Sequence, residues 1–248
     1  MDSISCLMHE GKTYRLIDQE FKEYHGITMV GMVMNEEKNI VDFLKHIRPV
    51  VDKIVLIDGG SNDKTVELAI PLVDCLKVIP FKGHHANQKN RAIELSHTDW
   101  TLLMDADEKL SDKLAKEFRG MIEQDEYDCY SFPRREYRDG KEDNSVYPDY
   151  QDRLFRTYCR LVRPIHHELV GYRKKKKIPE NSGMDIIHSK SEEKHKSRNT
   201  SYSFFERHYK YEIGSPGAQL EESFSKKYPQ LAEHLTADGS ISSANNGS

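Results

Sequence analysis

Trp100-Thr-Leu-Leu-Met-Asp-Ala-Asp-Glu108 is the stretch whose reading decides the fold. Residues 101–104 form a short run without polar alternation, which reads as a strand buried on both faces. The run ends on three acids, Asp105, Asp107 and Glu108. In an open α/β sheet, ligands sit outside the carboxyl ends of the strands, so these acids face a crevice. Alternate acids such as Asp105 and Asp107 can converge on one hard cation, Mg²⁺ or Mn²⁺, leaving other positions for phosphate oxygens. Taken alone, the pattern also fits a strand followed by a solvated acidic turn. The surrounding sequence decides between the two.

Working outward, residues 27–33 read as a strand followed at once by Asn35-Glu-Glu-Lys38. Asn35 is placed to cap a helix over 36–46, in which Ile40, Phe43, Leu44 and Ile47 recur at helical spacing. A second buried-type strand, 53–57, runs into Asp58-Gly-Gly-Ser-Asn-Asp-Lys-Thr65, with Asp63 as N-cap of the next helix. A third strand (75–79), a third helix (86–96) and the Trp100 strand complete a β-α-β rhythm, which means right-handed crossovers and a parallel sheet. Three successive strand ends carry acids or amides: Asn35-Glu36, Asp58 and Asp105-Asp107. Polar groups gathered at one end of successive strands favour a nucleotide-type crevice over a plain scaffold. Beyond them, Ser111 caps a helix to about 123, 128–137 reads as a strand, 138–141 as a turn, and 173–177 as a solvated basic hairpin tip.

The chain has 248 residues, room for one sizeable α/β domain with or without an appendage. A hydrophobic content of 37% against 31% charged is polar for a globular protein but not that of a disordered one. The net charge of −4 argues against a general nucleic-acid binder. Cys6, Cys75, Cys129 and Cys159 form no CxxC pair, which fits reduced thiols rather than a disulfide framework or zinc site. No apolar run reaches the roughly 18 residues of a membrane span, and Met1-Asp-Ser-Ile-Ser5 lacks a basic signal-peptide start. These features predict a cytoplasmic protein, at most peripheral to the inner face of a membrane.

The ordered pieces Val33-Met-Asn-Glu-Glu37, Ile57 to Thr65, Gln88-Lys-Asn90, Trp100 to Glu108, Tyr147-Pro-Asp-Tyr-Gln-Asp-Arg-Leu-Phe-Arg156 and His167-Glu168 together resemble the family 2 glycosyltransferases of GT-A fold. The likeness is closest to the small lipopolysaccharide core glycosyltransferase-like branch. It implies an open, mainly parallel twisted α/β sheet with helices on both faces, plus a C-terminal helical segment. The implied organisation is an N-terminal extension (1–26), a GT-A domain (27–190), a helical segment (191–235) and a disordered tail (236–248). Within the domain, 27–110 is the nucleotide-sugar half and 127–190 the acceptor half.

The resemblance further implies a nucleotide-diphosphate-sugar donor whose diphosphate meets a divalent metal at Asp105 and Asp107. Asn35, Glu36, Asp58, Lys89 and Asn90 would contact the donor. Many members carry a second Asp directly after the first, where this chain has Gly59. Arg153 and Arg156 are candidates to clamp phosphate bidentately, and His167 or His188 to complete the metal site. For the base that takes the acceptor proton, Glu168 is favoured over Asp152; pairing of Glu168 with Arg163 or Arg173 is the plainer alternative. The 173–177 run has a sharper reading as an anion-facing patch at a membrane surface. The expected activity is inverting transfer of a hexosyl or heptosyl unit to a glycan, lipid-linked or protein acceptor. A sugar nucleotidyltransferase would want a Gly-rich loop after the first strand, which is missing. It remains an alternative beside a non-catalytic nucleotide-sugar-binding protein.

Overall fold

The computed structural model describes residues 4–9, 12–17, 24–163 and 167–190, with side chains from residue 25 onward. The expected helical segment at 191–235 and tail at 236–248 lie outside the described residues. Strands β1 (Ile4–His9) and β2 (Lys12–Ile17) pair antiparallel as a sheet of their own.

The main sheet starts with β3 (Tyr24–Val33), α1 (Ile40–Ile47), β4 (Lys53–Asp58), α2 (Thr65–Ala69), β5 (Cys75–Val78), α3 (His85–Ile93) and β6 (Thr98–Leu103). These four strands lie parallel in the order β5-β4-β3-β6. There follow β7 (Glu108–Leu110), α4 (Asp112–Ile122), β8 (Cys129–Arg138), β9 (Lys141–Asp143) and β10 (Asp149–Arg156). The described part closes with β11 (Arg160–Val162), β12 (Glu168–Val170), β13 (Lys175–Lys177) and β14 (Ile186–Lys190). The sheet continues from β6 through β10, β8 and β14 to β7. β10 runs antiparallel to both β6 and β8, β14 is parallel to β8, and β7 is antiparallel to β14. β11 and β12 form a separate antiparallel pair.

The helices pack on both faces, and the strand residues divide between them by alternation. Ile54 and Leu56 of β4, with Trp100 and Leu102 of β6, meet α1, α2 and α4 through Phe43, Val66 and Phe118. Val55, Ile57 and Leu103 point the other way, to Ala86, Ala92 and Ile93 of α3 and to Leu161 and Leu169 of the β11–β12 pair. A strand buried on both sides has no polar alternation, and residues 101–104 are all buried. Each fully buried Leu or Phe of this kind contributes about 1.5–3 kcal/mol relative to exposure. Cys75, Cys129 and Cys159 are buried free thiols. Among the described residues, no helix is long and apolar enough to cross a membrane.

Two local expectations are revised. α1 begins at Ile40 rather than 36, because residues 34–39 form a loop that bonds to the next strand end. The 173–177 run is not a hairpin tip: Lys175–Lys177 is a strand lying parallel to β8. Its charges are largely compensated, since Lys174 pairs with Glu126 and Lys175 with Asp152. Arg173 donates through its backbone N–H, Nε and Nη2 to the Asp128 carboxylate, at 2.9, 3.2 and 3.0 Å. Asp128 is 2% exposed. Its burial alone would raise the carboxyl pKa; the bonds from Arg173 and from the Lys174 backbone outweigh that and carry it down to about 2.

A carboxylate held below its ordinary value stabilises the fold fully above that value, and the contribution fades as pH falls toward the folded value. Asp128→Asn should therefore cost on the order of 2 kcal/mol at pH 7. Urea unfolding at a series of pH values should show the wild type losing this increment between about pH 4 and pH 2, with the variant's pH slope over the same range smaller by that amount. Equal pH slopes would count against the assignment.

Candidate active site

The carboxyl ends of β3, β4 and β6 lie level. Val33 is opposite Asp58 in the β3–β4 ladder, and the Met104 N–H donates to Val30 O. The first two loops are bonded together. Asn35 has φ 56°, a left-handed conformation that Asn tolerates. Its N–H donates to Ser61 Oγ at 2.9 Å, and its side-chain oxygen accepts from the Asn62 N–H at 2.9 Å. Asn35 therefore caps no helix; it ties the β3 loop to the β4 loop. The Glu36 N–H donates to Thr65 Oγ1 at 2.7 Å, while Asp63 accepts from the Thr65 N–H at the start of α2. Asp58 is fully buried and organises its own turn, accepting from the Gly60 and Ser61 N–H groups at 2.8 Å and from Ser61 Oγ at 2.5 Å. Gly60 sits at φ 102°, where a side chain would strain the turn. A Cβ at Gly59 would meet Phe81 at 3.3 Å and Met34 at 3.4 Å, so an Asp at this position would have to displace one of them.

The third strand end carries the acids, and they diverge. Asp105 faces Lys89 Nζ at 2.9 Å and Arg153 Nη2 at 3.4 Å. Asp107 faces His188 Nε2 at 3.3 Å. Convergence of both carboxylates on one cation, expected from their spacing, gives way to this division, because buried cations from α3 and β10 draw Asp105 aside. Lys89 is 4% exposed and Arg153 2%. A β-bulge between Asp152 and Leu154 inserts Arg153 as an extra residue in β10, and bulges re-aim side chains in this way. α3, which carries Lys89, is capped by His84: burial pushes its imidazole down to about 4, and the neutral ring accepts from the Asn87 N–H.

Behind the two acids lies a continuous buried chain of charge. Arg153 also pairs closely with Glu108, which is 0% exposed. Glu108 accepts from Arg134 Nη1 at 3.2 Å and, through its other oxygen, from the Asp105 N–H at 3.1 Å. Arg134 reaches Asp149 at 2.5 Å and Glu136 at 2.9 Å. Glu136 holds His188 Nδ1 at 2.8 Å and Lys190 Nζ at 3.0 Å. Burial would raise the Glu136 pKa, but His188, Arg134 and Lys190 together bring it to about 2. Burial would lower the His188 pKa; Asp107 and Glu136 instead hold it above the ordinary value. Arg134, Glu136 and Lys190 were not foreseen from sequence. The available signal was alternation along β8, where Arg134 and Glu136 continue the face that Tyr130 and Phe132 turn to the core.

The other sequence candidates scatter. Arg156 is opposite Trp100 in the β10–β6 pairing, five residues before Asp105, hence about 16 Å from the acid end. Its guanidinium stacks over the Trp100 ring at 4.3 Å and pairs with Asp99 and Asp125. It clamps no phosphate in this crevice. Asn90 is buried, and its amide is committed to the Leu161 backbone: Nδ2 donates to O at 2.8 Å and Oδ1 accepts from N at 2.9 Å. That pair of bonds docks β11 on α3 and leaves the amide unavailable to a donor. Glu168 pairs with Arg163 at 2.7 Å with its side chain 44% exposed. Asp152 pairs with Lys175 at 2.9 Å. His167 lies in the field of Lys89, Arg153 and Asp105; burial, aided by the two cations, pushes its imidazole well below the ordinary value.

No three His, Cys, Asp or Glu side chains among the described residues form a ready-made metal cage. The donor set nevertheless suits Mg²⁺ or Mn²⁺, which take one or two protein ligands and complete their shell with water and substrate phosphate. Asp107 supplies a carboxylate and His188 an imidazole whose far nitrogen is bonded to a carboxylate, the usual support of a metal-binding His. His167, beside two cations, is the poorer ligand.

A parallel nucleotide-type half, an antiparallel insertion beside β6 and acids at the central strand end define a GT-A-type α/β fold. The chain belongs to glycosyl transferase family 2, whose profile matches residues 30–191. It is similar to an uncharacterized glycosyltransferase of Rickettsia typhi, 32% identical over 96 residues, covering 39% of this chain and 32% of that one. It is also similar to glycosyltransferase SunS of Bacillus phage SPbeta, 30% identical over 155 residues, covering 59% of this chain and 35% of that one. The chain spans about a third of the length of the curated relatives it matches. Among solved structures, S. aureus TarS 1-349 in complex with UDP-GlcNAc superposes with a TM-score of 0.50 at 12% identity, over 66% of this chain and 58% of that one. At that identity the likeness is one of fold.

Asn90→Ala removes two buried hydrogen bonds and should destabilise the protein by about 1–3 kcal/mol. Thermal unfolding should register the loss while calorimetry finds nucleotide affinity unchanged. Weakened nucleotide binding at full stability would return Asn90 to the donor site.

Proposed function

We propose that this domain transfers a sugar, with inversion, from a nucleotide-diphosphate donor to an acceptor hydroxyl on a glycan, lipid-linked or protein substrate. The observation that carries the reading is the division of charge at the β6 end, with Asp107 facing His188 and Asp105 facing Lys89 and Arg153. The family resemblance implies a donor diphosphate beside such an end, and TarS, which is similar in fold, was solved with UDP-GlcNAc. Asp107 and His188 would hold a divalent cation, Mn²⁺ or Mg²⁺. When bound, that cation would supply neutralisation of the charge that develops on the leaving diphosphate.

Lys89 and Arg153 are preorganised cations on the same edge, and fixed charges aimed at a leaving group act without reorganisation at the moment of reaction. The bonded loops carrying Asn35, Glu36 and Asp58 form a rigid wall for the nucleoside. Asp58 acts by fixing the Gly60–Ser61 backbone rather than by offering a free carboxylate. Glu168 is the proposed base. It follows His167, which shares the field of Asp105, and its partly exposed carboxylate can exchange Arg163 for an acceptor hydroxyl. Asp105 and Glu108 are held by Lys or Arg, which makes them poor covalent nucleophiles and favours single displacement. Asp152 is the second choice for the base, because release from Lys175 would have to come first.

Asp107→Ala lies at a strand terminus and should leave the fold intact while Mn²⁺-dependent turnover of nucleotide sugars collapses. Donor hydrolysis assayed over a panel of nucleotide sugars, with and without Mn²⁺, checks this. Normal turnover in the variant would sink the metal-assisted reading, and no turnover of any donor by the wild type would favour a binding role.

Glu168→Gln keeps shape and hydrogen bonding but removes basicity. Loss of a positioned general base costs a factor of roughly 10²–10⁴ in rate. kcat and kcat/KM should fall together with donor affinity nearly unchanged, and Asp152→Asn should do less. Reversal of the two results would move the base to Asp152.

A further inference from the structure

Glu136 carries no role in the transfer proposed above. It is 3% exposed, on β8, in register with His188 of the neighbouring strand β14. Its Oε1 is 2.8 Å from His188 Nδ1 and its Oε2 is 3.0 Å from Lys190 Nζ, with Arg134 Nε 2.9 Å away on the Oε1 side. Arg134 and Lys190 meet it as ion pairs rather than as hydrogen-bond donors, so the hydrogen bond to the imidazole is the directional contact of this carboxylate. It accepts the Nδ1 proton, and the opposite ring nitrogen, Nε2, is left aimed at Asp107 Oδ2 across 3.3 Å. A carboxylate on the far nitrogen of a metal-binding histidine fixes both the tautomer and the ring plane and raises the basicity of the ligating nitrogen.

We propose that Glu136 is a positioning residue for the cation site: flanked by Arg134 and Lys190 and bonded to Nδ1, it holds His188 so that Nε2 and Asp107 form one ready half of a divalent-cation site. This rests on the reading of Asp107 and His188 given above and extends it to a residue that touches neither cation nor substrate. Glu136 differs in this from Glu108, whose partners Arg153 and Arg134 and the Asp105 N–H tie it to the other acid of the pair.

The test is calorimetric titration of the full chain with Mn²⁺ alone, without nucleotide, on wild type, Glu136→Gln, Glu136→Asp and His188→Ala. Thermal unfolding in a chelator serves as the folding control. Glu136→Gln keeps an acceptor for Nδ1 but loses the charge, and it should weaken Mn²⁺ binding about 10–100-fold. Glu136→Asp keeps the charge for Arg134 and Lys190 but withdraws it from the imidazole, so binding should weaken here as well. This second variant carries the test if the Gln protein does not fold. His188→Ala should bind at least as weakly as either. Wild-type Mn²⁺ affinity in a folded Glu136 variant, with His188→Ala impaired, overturns the positioning role and leaves the His188 site standing. Wild-type affinity in His188→Ala overturns that site and the positioning role together.

Discussion

Glu108 is a carboxylate with no exposed surface, and burying it is the constraint on which the rest of the site depends. An isolated buried carboxylate is prohibitively costly, and it persists only when paired and hydrogen-bonded. Arg153, Arg134 and the Asp105 N–H meet that demand. Arg134 and Arg153 are then drawn to further acids, so the chain of pairs runs on through Glu136 and His188 to Asp107 on one side and to Asp105 and Lys89 on the other. Its members come from β7, β8, β10, β14 and α3 and from the turn after β6. Buried ion pairs are weak contributors to net stability, since desolvation offsets most of the attraction. Their yield here is geometry: two acids one residue apart are held toward different partners instead of repelling across a shared space.

The charge count along this chain is suggestive in itself. Asp105, Asp107, Glu108, Glu136 and Asp149 are answered by Lys89, Arg134, Arg153 and Lys190, with His188 between two of the acids. At the Asp107 end the acid faces the histidine. The Asp105 end is already neutralised by two buried cations and can tolerate an anion nearby. One strand terminus thus presents two electrostatic faces, suited to the two components of a metal–diphosphate pair.

Much of the fold was legible because it is local. Alternation-free apolar runs marked β4 and β6, helical spacing of Ile40, Phe43, Leu44 and Ile47 marked α1, and Ser111 capped α4 where its side chain predicted. Of the charge cluster at the β6 end, the sequence singled out the acids, Lys89 and Arg153. What failed depended on distant partners. Asn90 is a plausible ligand group until β11 comes to rest on it, and nothing near either segment says that it will. Arg153 and Arg156 look like one clamp in sequence, but three residues of an antiparallel strand carry the second to the far end of the sheet. Arg134 and Glu136 share the alternation of Tyr130 and Phe132, but their charges read as surface until β14 pairs alongside β8 and supplies His188 and Lys190 as partners. The 173–177 run looked like a free cationic tip because Asp128, Glu126 and Asp152, which answer three of its charges, lie tens of residues upstream.

His188 belongs to the last described strand, some 80 residues beyond Asp107. β14 reaches it by settling between β8 and β7. During synthesis, the acids of the β6 turn emerge long before the histidine that Asp107 faces, so an incomplete chain has half a site. Any ion that requires both residues therefore binds only the completed sheet, and its binding energy is added to the stability of that state alone. Such an ion would thus favour docking of β14, the strand that brings His188 to Asp107.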